Sequence, residues 1–235
     1  MVGRRCGAWA AIVPKNDPLP IALLALTGVT GLVDAVSFLG LGHIFTANMT
    51  GNVVFLGFAV AGASGLSIPR SSTSLVAFLA GAALGGRLGA AMAAASRRRW
   101  LFTAAASEAA LLLAAALVAI GFDIGAAAPP SRLYAVIVLT AVAMGLRNAT
   151  VRRLAVPDLT TTVLTLTLTG VAAESALAGG NNPRVGRRFA SVALMFAGAA
   201  VGTLLLRFGL ALPLVVSGTC VLAAVAYAAS SGEET

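Results

Sequence analysis

Charge is what this 235-residue sequence has least of: Asp, Glu, Lys and Arg make up 10% of it, where a soluble domain carries about 25%. Histidine occurs once, at His43, and lysine once, at Lys15 in the N-terminal tail. One histidine excludes the paired-histidine metal motifs, and one lysine placed there excludes a glycine–lysine phosphate loop. The two cysteines, Cys6 and Cys220, stand near opposite ends without ligand-like spacing, which argues against a disulfide framework and a thiolate metal site. No Ser/His/Asp spacing stands out. The sequence therefore reads as a non-enzyme with no cofactor and no metal; an intramembrane hydrolase using Asp34 with a second acid is the weaker alternative.

What the chain does have is hydrocarbon. Hydrophobic residues make up 59% of it and mean hydropathy is +0.95, which predicts an all-α, polytopic integral membrane protein whose first partner is the lipid bilayer. The net charge of +8 comes from basic clusters between apolar segments, where it sets orientation in the membrane. No stretch is long enough for a soluble nucleic-acid-binding fold, so no nucleic-acid partner is expected.

A crossing needs about 20 apolar residues, and eight candidate segments appear, at 19–42, 44–63, 73–95, 101–121, 132–151, 158–178, 188–207 and 210–230. If all eight cross, the basic residues divide almost evenly between the two sides. If the second and sixth dip in and return on their own side, only Arg70, Arg132 and Arg207 remain outside, with Arg87 inside a span. The positive-inside rule favours six crossings plus two re-entrant or broken polar segments, with eight transmembrane helices as the alternative. Residues 1–18 read as a cytoplasmic tail, since the weak apolar run after Arg4 and Arg5 is broken by Pro14, Lys15, Asn16, Asp17 and Pro18 and lacks a cleavage site. Residues 19–230 form one transmembrane domain, with related halves at 19–121 and 132–230, and 231–235 a C-terminal tail.

The two dipping segments are also the most polar. The first contains Phe45-Thr46-Ala47-Asn48-Met49-Thr50-Gly51-Asn52, after a span holding Asp34. The second, around Pro157 to Gly170, carries Thr160, Thr161, Thr162, Thr165, Thr167 and Thr169. Irregular polar backbone persists at membrane depth only where protein buries it or a wet cavity borders it. The halves also match at an offset of about 114 residues: Gly31-Leu-Val-Asp34-Ala35 lies over Gly145-Leu-Arg-Asn148-Ala149, and Thr46 to Thr50 over the Thr160 to Thr165 run. With three crossings and one re-entrant segment in each half, the second half is inverted. The polar segments then enter from opposite faces and meet near the midplane, as in inverted-repeat transporters.

These residues resemble a bacterial family. Gly31-x-x-Asp34-Ala35 with Phe45 to Asn52, and Gly145-Leu-x-Asn148-Ala149 with the Thr160 to Thr165 run, are similar to the YoaK-like membrane proteins, over residues 20 to 225. That pattern tends to have Gln where this chain has Arg147 and Gly where it has Leu166. The resemblance implies a polytopic bacterial inner-membrane protein and no particular activity.

Asp34, Asn48, Thr50, Asn52, Asn148, Thr162, Thr165 and Glu174 are the candidate pathway residues, for a small polar solute or a proton. Asp34 is either a proton- or cation-coupling group or the partner of Arg147, Asn48 or Asn52 in a structural bond. Asn48, Thr50 and Asn52 either line a site or satisfy backbone freed around Gly51. Glu174 and Glu108 either relay protons or pair with a nearby Arg or helix neighbour, and His43 reads as an interfacial residue. Gly81, Gly85 and Gly89, with Gly198 and Gly202, put glycine on one helical face and predict close helix packing, between halves or between protomers of a homo-oligomer. Two functions stay open: movement of a small polar solute through a midplane site, or a non-transporting assembly or partner-binding protein whose polar motifs are structural.

Overall fold

The computed structural model describes residues 18–230 except 157, 158, 160, 163 and 183. In chain order the helices are α1 (Leu19–Ala35), α2 (Met49–Val60), α3 (Ile68–Ala91), α4 (Arg97–Val118), α5 (Pro130–Leu154), α6 (Thr165–Ala173), α7 (Val185–Leu205) and α8 (Ala211–Ser230). A π-helical turn, Val36–Gly40, prolongs α1. Six of these elements are long and apolar enough to cross a bilayer: Leu19–Gly40, Ile68–Ala91, Arg97–Val118, Pro130–Leu154, Val185–Phe208 and Ala211–Ala228. The other two are not. At about 1.5 Å per residue, α2 and α6 reach roughly 18 Å and 14 Å, about half of a hydrocarbon core near 30 Å thick. The fold is that of a multi-pass α-helical membrane protein, with six candidate spans and two short polar-headed helices among the described residues.

Local chemistry fixes the starts of the spans. The Arg70 N–H donates to Ser67 Oγ at 3.4 Å and the Arg99 N–H to Ser96 Oγ at 3.3 Å, the N-cap bonds of α3 and α4. With Ser67 as cap and Pro69 in the first turn, α3 begins at Ile68, ahead of the expected 73. Pro129 and Pro130 open α5, and Arg152 and Arg153 in its last turn complement the negative end of the helix dipole.

Contacts between helices give their directions. Along α3, Gly81, Gly85 and Gly89 meet Val142, Leu146 with Ala149, and Arg153 in turn, so α3 and α5 run parallel. Along α1, Gly28, Gly31 and the Leu32–Ala35 turn meet Leu194, Met195 and Gly202, so α1 and α7 also run parallel. The early part of α1 shares one core cluster with Ala143, Met144, Val151 and Leu154 of α5. Its later residues, Leu32 and Val36, share another with Leu133, Val136 and Ile137. α1 and α5 are therefore antiparallel. We call the end of the bundle where α1 begins the near face and the other the far face. α2 lies between the far-face end of α1 and the far-face start of α3; α6 lies between the near-face ends of α5 and α7. The two short helices thus sit at opposite faces.

The glycines let the spans touch through backbone. A Cβ on Gly31 would collide with the Met195 carbonyl, and one on Gly145 with the Phe78 carbonyl. Gly81 lies on Val142 and Gly198 on Gly28, while Gly85 and Gly202 face the Cβ atoms of Ala149 and Ala35. Gly89 differs, because it meets the Arg153 side chain instead of backbone. Each close pair joins a helix before residue 121 to one after residue 130, so the glycine rows hold together the two parts of one chain.

Candidate functional site

Asp34 lies six residues before the end of the α1 span, about 9 Å below the far face by helix rise. Asn48, which opens α2, donates from Nδ2 to Asp34 Oδ2. Asp34 Oδ1 is buried with no protein partner, as are Thr46 Oγ1 and Ser71 Oγ. The π-helical turn begins two residues later, and Ser37 Oγ donates to the Asp34 carbonyl at 3.2 Å. Phe38, Phe45 and Phe55 stack beside this turn, with His43 edge-on to Phe38 at 5.1 Å. His43 itself is exposed.

Asn52 binds backbone, the second of the two roles that the sequence leaves open for it. It is 1% exposed, and its Oδ1 accepts the Phe45 N–H at 2.8 Å while its Nδ2 donates to the Phe45 carbonyl. Ser74 Oγ closes the ring, donating to the same carbonyl at 2.6 Å and lying 3.1 Å from Asn52 Nδ2. Asn52 therefore supplies the hydrogen bonds that the loop peptide at Phe45 lacks, and clamps α2 to α3. Thr50 points outward and joins none of these contacts.

The corresponding group near the other face is built from Asn148 and Thr162. Thr162 Oγ1 donates to Asn148 Oδ1 at 2.8 Å, and Asn148 Nδ2 to the Met144 carbonyl at 2.9 Å. Fourteen positions separate this pair, as they do Asp34 and Asn48. Asn148 stands six residues before the end of α5, again about 9 Å deep by helix rise. Thr161, Thr162 and Thr167 are buried, Thr165 and Thr169 are exposed, and Thr160 lies outside the described residues. Glu174 is at the periphery, where Arg188 Nη2 bonds its Oε2 at 2.9 Å and Arg188 Nη1 the Gly170 carbonyl at 2.8 Å. Arg188 thus ties α6 to α7, as Asn52 and Ser74 tie α2 to α3.

The two polar groups do not meet at the midplane. Between their levels sits a pair read separately in the sequence, Arg147 of α5 and Glu108 of α4. They are 1% and 3% exposed. Arg147 Nε donates to Glu108 Oε1 at 2.7 Å and Nη2 to the same oxygen, while Nη1 reaches the Leu26 carbonyl and Thr30 Oγ1, each at 2.9 Å. Arg147 was one expected partner of Asp34; its ion pair is with Glu108. The signal that could have joined them is plain in hindsight: two opposite charges, each inside an apolar span and each needing a partner there.

A cavity of about 280 Å³ ends on this pair. It extends from Pro18, Arg97, Leu154 and Ala228 at the near-face ends of four spans, past apolar walls such as Leu23 and Leu101, to Glu108 and Arg147.

Comparison with known proteins agrees with this architecture. A 61-residue stretch is 46% identical to the "UPF0700 transmembrane protein YoaK" of Bacillus subtilis (strain 168), covering 26% of this chain and 26% of that protein. No solved structure matches the chain. Residues 22–227 match the family described as "Protein of unknown function (DUF1275)". From its first span to its last, this chain belongs to the DUF1275 family.

Proposed function

We propose that the chain moves a small polar solute across the bacterial inner membrane, along the polar groups between its two short helices. The observation that carries this reading is the Arg147–Glu108 pair at the end of a cavity, buried among apolar spans. Charges are costly inside a membrane, and where they persist they characteristically border substrate or ion pathways. Two half-length polar-headed helices at opposite faces, with polar groups between them, resemble the arrangement of inverted-repeat transporters. We read the halves as such a repeat, because Asp34–Asn48 and Asn148–Thr162 share one spacing and because Gly31 and Gly145 make matching contacts.

The near face is assigned to the cytoplasm. It holds Arg97, Arg98, Arg99, Arg152, Arg153, Arg184, Arg187 and Arg188, whereas the far face holds Arg70, Arg132 and Arg207, the asymmetry of the positive-inside rule. The reading is of passage and not of catalysis. Its test is solute flux into proteoliposomes, with Asp34→Asn and Asn48→Ala as variants.

A second reading, a non-transporting assembly protein, draws support from Asn52 and Arg188, whose polar atoms bind backbone and so fasten the short helices.

A further inference from the structure

The cavity beneath Arg147 and Glu108 has a charge balance that selects its occupant. We propose that it takes a monocarboxylate with an apolar body, and that this carboxylate and Glu108 alternate on Arg147, so that one proton travels with each molecule. The proposal rests on the transport reading above and names its substrate class and coupling ion.

Four charged side chains border the cavity: Arg97 and Arg98 at its mouth, and Arg147 and Glu108 at its end. The remaining wall is almost wholly apolar, lined by residues such as Leu23, Leu101 and Val225. Such a surface fits one anionic group joined to a hydrocarbon body. The space, about 280 Å³, is roomy enough for a small organic anion.

Arg147 can change partners without moving. Its Nη1 is anchored by the Leu26 carbonyl and Thr30 Oγ1, independently of Glu108. The edge formed by Nε and Nη2, which now meets Glu108, is the fork that a carboxylate binds bidentately. Glu108 spends one oxygen, Oε1, on both of its bonds to Arg147, and the residue lines the cavity, the side from which a proton can reach it.

Coupling follows from neutrality. A buried guanidinium without a counter-anion is strongly unfavourable, and so are two carboxylates competing for it. Glu108 can therefore accept a proton only when another anion sits on Arg147, and that anion can settle only when Glu108 is neutral. A second carboxylate on the body of the molecule would face the apolar wall, since Arg97 and Arg98 stand at the mouth and not beside Arg147. The balance is one carboxylate and one proton in, and the same two out. Among the described residues, Arg147 is the charged group facing Glu108 from α5, α8 contributes none, Asp34 of α1 lies a turn beyond Thr30, and Arg97 and Arg98 stand at the mouth.

The test uses the full chain in proteoliposomes with 4-methyl-2-oxopentanoate, a short branched 2-oxo acid that is almost fully ionised near neutral pH and so leaks little, against protein-free vesicles. Labelled-probe counterflow and acidification of a pyranine-loaded lumen are read together. Wild type is expected to show both. Glu108→Gln, purified and reconstituted with the oxo acid present so that its carboxylate serves as the counter-anion of Arg147, separates them, because a fixed neutral amide permits exchange but carries no proton: counterflow persists while acidification falls at least about tenfold. The double change Arg147→Gln with Glu108→Gln buries no net charge, so it is expected to fold and to lose both signals. Absent wild-type counterflow, acidification that survives Glu108→Gln, or counterflow that survives the double change would each overturn the proposal. If an amine or a sugar moves and the oxo acid does not, the transport reading stands and the carboxylate assignment falls. If no solute moves, both fall.

Discussion

Arg147 donates from two nitrogens to one oxygen of Glu108, a residue 39 positions away on the neighbouring span. Both side chains are buried among the spans and meet only the cavity below them, so the pair cannot be opened from one side without cost. Glu108→Ala alone is expected to lower stability by about 3–5 kcal/mol, because it strands a buried guanidinium, whereas Arg147→Met with Glu108→Leu should be close to neutral. Thermal unfolding in detergent compares them. A double variant as unstable as the single would show that the pair is not the source of the loss.

The glycine contacts predict a position-specific response to one methyl group. Gly31→Ala and Gly145→Ala push a Cβ into the Met195 and Phe78 carbonyls. Overpacking of this kind costs about 1–3 kcal/mol. Gly86 has open space around its Cβ position, so Gly86→Ala should be neutral or stabilising by roughly 0.5–1 kcal/mol. Equal melting temperatures for all three would remove the close-packed α1–α7 and α3–α5 contacts from the account.

Topology is open to a direct check with reporter fusions at Gly65, Gly125 and Gly180. Gly65 lies between α2 and α3 and Gly125 between α4 and α5, both at the far face; Gly180 lies between α6 and α7 at the near face. The expected placement is outside, outside and inside. Eight full crossings would put all three inside.

Asn52 should behave as a clamp. Asn52→Ala leaves the Phe45 N–H without its acceptor, while Ser74 Oγ still donates to the Phe45 carbonyl, a loss of about 1–3 kcal/mol for a buried group left unsatisfied. Thr50→Ala, at an exposed position outside this ring, should shift the melting temperature little. Comparing the two unfolding curves checks the distinction.

Much of the membrane architecture was legible in the residues. Arginine placement and the threonine and asparagine runs both point to the segments that fold as α2 and α6, because charge and polarity answer to the same bilayer. The Gly81, Gly85 and Gly89 row announced a helix contact, but not that α5 is its partner, since spacing fixes a face and says nothing of the element opposite. The Arg147–Glu108 pair was hidden for the same reason: each residue looks like an isolated exception within its own span, and only the packing of α4 on α5 joins them. Asn52 looked like its neighbour Asn48, although one saturates a peptide and the other meets a carboxylate. Sequence proximity could not separate those roles.

Solute flux tests the central claim most directly. Purified chain in proteoliposomes, screened with small carboxylates, amines and sugars, is compared with Asp34→Asn and Asn48→Ala, which alter the Asp34–Asn48 bond. The account predicts a wild-type flux above that of protein-free vesicles, reduced at least about tenfold by either change, as expected for losing a polar group that contributes about 1.4 kcal/mol or more to passage. Absence of flux for every solute, or a flux that neither change diminishes, would contradict it.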